Sequence, residues 1–344
     1  MYSTPIKYNQ ILDILYSKYH EDAEHSFSDV TSSFWVEWGN KTSVSKSTAD
    51  GNIEYGFHSA IGAFSRKKKD TIKEVLTRKL STLINNNLIK RRMVNLKPTD
   101  FPLGLDSSMN LLLGWLLLKH GAQRTTTESA LAITKELGIH FNFNHVKHVL
   151  SYDLIDEHGL FSGDDIICII GDGHGFMGTL IKAMNPQARV LFVNLGRHLL
   201  IDALCFAQVF PESEPSLLEH PVTSESLNQR GTFFLEAEHY EWIQNLPIRL
   251  FINIASMQEM DLRVINRYFD LMRTSTSEPY IYCCNREEKT LSDGSIIRFE
   301  DYPWEEGDVL LDELCPWYQR YPNPRPPIWR PFDGPHRHRL AKLN

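Results

Sequence analysis

Three glycines at alternate positions, Gly171, Gly173 and Gly175, carry Asp172 and His174 between them. They end an apolar run, Asp165-Ile166-Ile167-Cys168-Ile169-Ile170, and precede a segment of helical character from Phe176 to Met184. Glycines so placed let the chain turn sharply and let a ligand approach bare backbone and a helix N-terminus. After Asn185-Pro186 a second apolar run, Val190-Leu191-Phe192-Val193, ends at Asn194. Strand, glycine turn, helix, strand is the opening unit of a parallel α/β sheet with room for a nucleotide-like ligand.

Two ligand classes suit such a turn: dinucleotides and S-adenosylmethionine. The spacing is Gly-x-Gly-x-Gly, and Gly178 falls at the wrong distance to complete a dinucleotide fingerprint. Asp172 would repel a pyrophosphate, whereas a carboxylate is tolerable beside the amino group and sulfonium of S-adenosylmethionine. The methyl donor is therefore the expected cofactor. A turn kept for packing alone is the plain alternative.

In a parallel sheet the cleft opens at the carboxyl ends of the strands, so the residues just after each strand are the candidates for chemistry. Methyl transfer to a hydroxyl needs in-line placement and often a base. Glu259, a few residues beyond a strand at Arg249–Ala255, is the first choice as base, although a glutamate there could simply cap the next helix. Gln258 could position a substrate hydroxyl. His174 has the titration range of a base, or it packs against the donor and orients the loop. Asn285 and Arg286 follow a strand at Pro279–Asn285 and could bind substrate hydroxyls or a phosphate; Arg286 could equally be an ion-pair partner. Glu236 and Glu238 follow a strand at Gly231–Leu235 and read as solvated surface glutamates. No metal is expected. The acidic residues between Asp301 and Glu313 lack a recognisable ligand spacing, and His336 and His338 stand among arginines without a cysteine or carboxylate beside them.

The elements that must hold these residues fall into two regions. Residues 1–150 read as a mainly helical lead-in or cap, making substrate or oligomer contacts. Capping boxes at Thr71-Ile72-Lys73-Glu74 and Thr125-Thr126-Thr127-Glu128 open predicted helices to about Leu88 and Gly138, and a further helix spans about Ser107 to His120. Aromatic and polar residues mix at Phe34–Asn40 and Tyr55–His58, and basic runs stand at Arg66–Lys69 and Lys90–Arg92. From residue 151 to 344, strands alternate with helices, including one from about Asp261 to Arg273. Ser295–Phe299 and Val309–Leu311 then read as strands with no helix between them, and Tyr321–Pro335 as an irregular segment. The expected fold is α/β: a doubly wound, mostly parallel seven-stranded sheet with an antiparallel C-terminal hairpin.

Composition narrows the setting. The chain has 344 residues, 42% hydrophobic and 23% charged, with a net charge of -7, a balance that argues against a general nucleic-acid binder. The run Leu111–Leu118 is too short to span a bilayer, no charged-then-apolar leader opens the sequence, and the five cysteines form no disulfide framework. These features point to a cytoplasmic protein acting on a small molecule or glycan, with apolar helix faces that could pair subunits.

The motif Ile170-Gly171-Asp172-Gly173-His174-Gly175 resembles the glycine motif of class I S-adenosylmethionine-dependent methyltransferases. More narrowly, Asn253 with Ser256-Met257-Gln258-Glu259-Met260, then Tyr282–Arg286, then Phe299–Trp304 resembles the sugar O-methyltransferases of surface-polysaccharide and glycoside gene clusters. The likeness covers about Leu150 to the C-terminus. It implies a Rossmann-like fold and transfer of a methyl group to a sugar hydroxyl. The donor would be held by Gly171, Asp172, Gly173, Gly175, Asn194, Leu195 and Asn253. Two family features are missing: an acidic residue just before the glycines, where Cys168-Ile169-Ile170 stands, and one ending the second strand, where Asn194 stands. Two other readings therefore stay open, an NAD(P)-dependent sugar oxidoreductase and a non-catalytic methyltransferase-like partner subunit.

Overall fold

In the computed structural model the described residues are 2–3, 9–19, 42–49, 52–59 and 107–343, without 226, 228–230, 292, 306–308 and 324–326; side chains are described over 10–19 and from 111 onward. The predicted helix at 71–88, the aromatic stretch at 34–40 and both basic runs lie outside them. The chain groups into two compact units: Met1–Ala60, Ile155–Cys315 and Gly334–Asn344 form one, and Ile61–Leu154 with Pro316–Asp333 the other.

The first unit is built on an eight-stranded sheet. Its strands are β4 (Ile166–Ile170), β5 (Arg189–Asn194), β6 (Ser216–Leu217), β7 (Thr232–Glu236), β8 (Ile248–Ile254), β9 (Tyr280–Arg286), β12 (Val309–Leu314) and β15 (His336–Lys342), in the order β12-β15-β9-β8-β4-β5-β7-β6. Strands β4 to β9 pair parallel, and β15 runs antiparallel between β9 and β12. This is the expected doubly wound, mostly parallel sheet of Rossmann-like topology, closed by an antiparallel hairpin. The count is eight because the two-residue β6 adds an edge. Every residue of β4 and β7 is buried. That is why these strands read as continuous apolar runs and not as alternating ones.

Helix α5 (Phe176–Met184) joins β4 to β5, α6 (Gly196–Val209) follows β5, and α7 (Leu262–Arg273) joins β8 to β9. Asp261 caps α7 by accepting the Arg263 N–H at 2.8 Å. Helix α1 (Asn9–Tyr19) packs on α6.

The hairpin partners differ from expectation. Residues Ile296–Arg298 form β11, which pairs with β10 (Glu288–Thr290) in a separate ribbon. The strand that completes the main sheet is β15, which contains His336 and His338; both are buried, while Arg337 and Arg339 alternate outward and reach Asp312. The front region is also less helical than its capping signals imply. Strands β2 (Thr42–Ala49) and β3 (Asn52–Ser59) pair antiparallel, with β1 (Tyr2–Ser3) beside β3. β2 reads Thr-Ser-Val-Ser-Lys-Ser-Thr-Ala, polar on both faces, so it gives no period-two apolar signal.

The second unit contains α2 (Ser107–Lys119), α3 (Arg124–Glu136), α4 (Phe143–Glu157) as far as Leu154, and a ribbon of β13 (Arg320–Pro322) with β14 (Trp329–Pro331). The ribbon lies within the segment read as irregular. Phe143 meets Tyr318, Trp329 and Phe332 ring to ring, and Lys147 lies 3.8 Å from the Tyr318 ring centroid. The capping box at Thr125 does not form: α3 starts at Arg124, and Glu128 turns to pair with Arg124 at 2.6 Å.

Candidate functional site

The carboxyl ends of β4, β5, β7 and β8 come level with one another, since Ile170 pairs with Val193, Asn194 with Glu236 and Ile169 with Ile252. Connections leave β4 toward β5 on one side and return to β8 on the other, so the order reverses here, where α/β sheets open a crevice. Ile170, Gly171, Val193, Asn194, Leu195, Ala237, Ser256, Met260 and Tyr268 line it.

All three glycines of the turn are left-handed, with φ of 71° at Gly171, 79° at Gly173 and 65° at Gly175. Their surroundings separate them. A Cβ at Gly171 would stand 2.1 Å from Ser256 Oγ, and one at Gly175 2.8 Å from Asp202 Cα, whereas one at Gly173 would meet nothing within 4 Å. Two glycines thus allow close packing against the β8 turn and α6, and the middle one borders open space. Ser256 is delivered by Ala255, itself left-handed at φ 60°, an uncommon conformation for an alanine.

Asp172 folds back over the start of α5. Its carboxylate accepts the Met177 N–H at 3.1 Å and the Gly178 N–H at 2.8 Å. Burial pushes its pKa up to about 6, against the pull of those amide bonds. The carboxylate occupies the amides a pyrophosphate would use. Nearby Asp202 is buried on α6 and held well above the usual carboxylate range by burial and by Asp172. His174 is half-buried, and desolvation lowers it to about 4. His198 is lowered to about 3 by burial and then by His174 and Arg197. His174 is therefore a neutral imidazole at neutral pH, too weak a base to match the expected role there.

The ends of β8 and β9 are joined by a ladder of amides. Asn253 Nδ2 donates to the Ile170 carbonyl at 2.8 Å, and its Oδ1 accepts the Met257 N–H at 3.1 Å and Asn285 Nδ2 at 2.8 Å. Asn285 Oδ1 accepts the Gln258 N–H at 3.1 Å, and Gln258 Oε1 accepts the Arg286 N–H at 2.7 Å. Asn253, Asn285 and Gln258 thus brace the loop that carries Glu259. Glu259 is buried in a 3-10 turn, Met257–Glu259, and burial raises its pKa to about 8 despite Lys289, Gln258 and Arg286. It is not among the residues that line the crevice, whereas its neighbour Met260 is.

Asn194 is committed as well: Nδ2 donates to Asp202 Oδ2 at 2.8 Å, and Oδ1 accepts the Leu195 N–H at 2.9 Å. One strand over, Glu236 is 6% exposed and not the surface glutamate that sequence reasoning supposed. Its Oε2 accepts the Tyr19 hydroxyl and Lys18 Nζ, the latter at 2.7 Å, both from α1. The Tyr19 ring rests on Gly196, where a Cβ would come within 2.2 Å of it.

Sequence reasoning gave no site role to Ser256, Met260, Tyr268 or Ala237, which line the crevice, and did not connect Glu236 with Tyr19. The rule of looking just past each strand end reaches Ser256 and Ala237. Nothing local links Tyr19 to Glu236. Among the described residues, no group of three or more His, Cys, Asp or Glu gathers as a metal site, and no helix is long and apolar enough to cross a membrane.

No protein-family model matches the chain, and no curated protein matches it. Solved structures of low similarity include a TehB-like SAM-dependent methyltransferase from Corynebacterium glutamicum (14% identity, 56% of this chain and 87% of that one, TM-score 0.36). Another is geranyl diphosphate C-methyltransferase from Streptomyces coelicolor A3(2), in complex with Mg2+, geranyl diphosphate and S-adenosyl-L-homocysteine (10% identity, 58% and 80%, TM-score 0.40). A third is a Bacillus halodurans protein described as a methyltransferase (8% identity, 42% and 54%, TM-score 0.28), of whose length this chain spans about half. The fold assignment rests on the strand order and the antiparallel hairpin.

Proposed function

We propose that the chain is an S-adenosylmethionine-dependent methyltransferase whose acceptor is a sugar hydroxyl. One observation carries the donor: a left-handed glycine turn at the sheet's switch point, open above Gly173, with Asp172 already seated on the helix N-terminus. The crevice suits an adenosyl group. Leu195, Ala237, Met260 and Tyr268 offer apolar walls, and Gly171 offers backbone. When bound, the donor supplies an electrophilic methyl group.

The protein's own residues would do the rest. Asp172 and Asp202 hold the glycine turn and, through Asn194, the end of β5. Asn253, Asn285 and Gln258 set the position of the loop bearing Glu259, so their part is positioning and not direct contact. Glu259 is the base we assign; with its pKa near 8 it is largely protonated at pH 7 and able to take a hydroxyl proton as pH rises. Arg286 is the residue we assign to hydroxyls or a phosphate of the acceptor. The ordered motifs around Asn253, Tyr282 and Phe299 support a sugar as acceptor.

A dinucleotide is disfavoured because its pyrophosphate would face the Asp172 carboxylate. A second reading, a non-catalytic partner subunit, draws on Glu259 standing outside the crevice lining. Calorimetry and thermal shift with S-adenosylmethionine, S-adenosylhomocysteine and NAD(H) separate the three. Binding of the first two supports the proposal, binding of NAD(H) alone an oxidoreductase, and no response at millimolar ligand the partner subunit.

A further inference from the structure

We infer that the turn at residues 256–260 couples the crevice to Glu259: a ligand that fills the crevice stabilises the protonated carboxyl, and the protonated carboxyl favours that ligand. The inference rests on the donor reading above. Both ends of this short segment, Ser256 and Met260, line the crevice, whereas Met257, Gln258 and Glu259 between them do not. Those three are buried, and their 3-10 turn packs against β9, β10 and β11. The segment thus has a ligand side and a protein side, and Glu259 belongs to the second.

Backbone bonds leave the segment little slack. Ala255 enters it at φ 60° and donates its N–H to the Cys284 carbonyl at 2.8 Å. A strained alanine of this kind persists only where its surroundings fix it. The Met257 and Gln258 N–H groups are held by Asn253 Oδ1 and Asn285 Oδ1, each at 3.1 Å. The Ser256 carbonyl accepts the Glu259 N–H at 3.0 Å, and the Met257 carbonyl accepts the Met260 N–H at 2.9 Å. Ser256 also sits hard against the glycine turn, where a Cβ on Gly171 would stand 2.1 Å from its Oγ. A ligand seated between the glycine backbone and Met260 therefore closes the crevice side of the turn. Burial already raises the Glu259 pKa to about 8, while Lys289 of β10, Gln258 and Arg286 of β9 pull the other way. Tyr302 faces it too, its hydroxyl held well above its ordinary range by burial and by Cys283 and Glu259. Arg298 of β11 is paired with Glu288 at 3.0 Å. Removing water from the ligand side adds to the desolvation and favours the neutral carboxyl. By linkage, the protonated chain then binds the same ligand more tightly, in the same ratio.

The test is calorimetry on the full chain with S-adenosylhomocysteine, whose thioether carries no sulfonium charge, from pH 6.5 to 9 in buffers of different ionisation enthalpy. The wild type should take up a fraction of a proton on binding near pH 8, and its affinity should fall about fivefold or more as pH rises through that range. Glu259→Gln, neutral throughout and of the same shape, should show neither effect beyond what the ligand's own amino group contributes to both proteins. A wild type whose proton uptake equals that of Glu259→Gln overturns the inference and leaves the donor reading intact. A wild type that does not bind S-adenosylhomocysteine ends both. If Glu259→Gln does not fold, Ser256→Gly decides, since it removes the wall at one end of the turn: a smaller proton uptake than the wild type supports the inference, and an unchanged one overturns it.

Discussion

The two flanks of the crevice are built from the same sheet edge but spend their polar groups differently. On the flank of β8 and β9, every side-chain amide turns inward: Asn253, Asn285 and Gln258 form one continuous ladder. At the ends of β5 and β7 the acceptors are buried carboxylates: Asp202 takes Asn194 Nδ2, and Glu236 takes Tyr19 and Lys18. One flank is tied together by amides and the other by buried carboxylates. A polar residue just past a strand is thus a weak pointer to a ligand until its hydrogen-bond partners are counted.

The contrast can be broken most sharply at Gly175. Replacing it by alanine forces a Cβ against the Asp202 backbone at a left-handed position, and should cost about 3 kcal/mol or more together with donor binding, read by denaturant melts and calorimetry. Asn253→Ala comes next. It strands the Ile170 carbonyl, the Met257 amide and the Asn285 amide, for about 2–3 kcal/mol, with weaker donor binding only as a consequence. Equal damage to binding without loss of stability would make the amide ladder a ligand contact.

The third test is pH. Because the folded Glu259 carboxyl titrates near 8 instead of 4.5, the folded chain keeps a proton there that the unfolded chain has released. Stability contributed by Glu259 is whole below pH 4.5 and is lost as pH rises through 8, at up to about 1.4 kcal/mol per pH unit. Glu259→Gln should flatten that slope in melts across pH 5 to 9, and should remove a rise in kcat toward pH 8. Gly173→Ala should cost least, about 1 kcal/mol from its φ alone, since no atom stands in the way. A large loss of donor affinity at so small a structural cost would mark the open side as the binding side.

Much of this architecture is legible in the residues. Helix α5 runs Phe176–Met184 as predicted, because glycines bound it on one side and Asn185-Pro186 on the other. The parallel strands show as apolar runs because both faces are covered. Strand β15 escaped although its first half alternates, since the buried positions there are His336 and His338, which the eye sorts as ligands before core. Hairpin β2–β3 escaped because serine and threonine carry no apolar rhythm, even though Asp50-Gly51 between them is a hairpin dipeptide. At the site, the glycine turn was readable and the use of its neighbours was not. How Asn194 and Glu236 are tied down depends on partners from α6 and α1, and tertiary bonds of that kind leave no mark on local sequence.

The bond between Tyr19 and Glu236 also orders events in time. Its ends lie 217 residues apart, one of the longest closures among the described contacts. A growing chain displays α1 first, yet that helix has no carboxylate to settle on until β7 has emerged and joined β5. Closing so wide a loop is slow and entropically taxing. A chain cut short before residue 236 would carry the glycine turn without this tie, and Ser256, Met260 and Tyr268 of the crevice lining emerge later still.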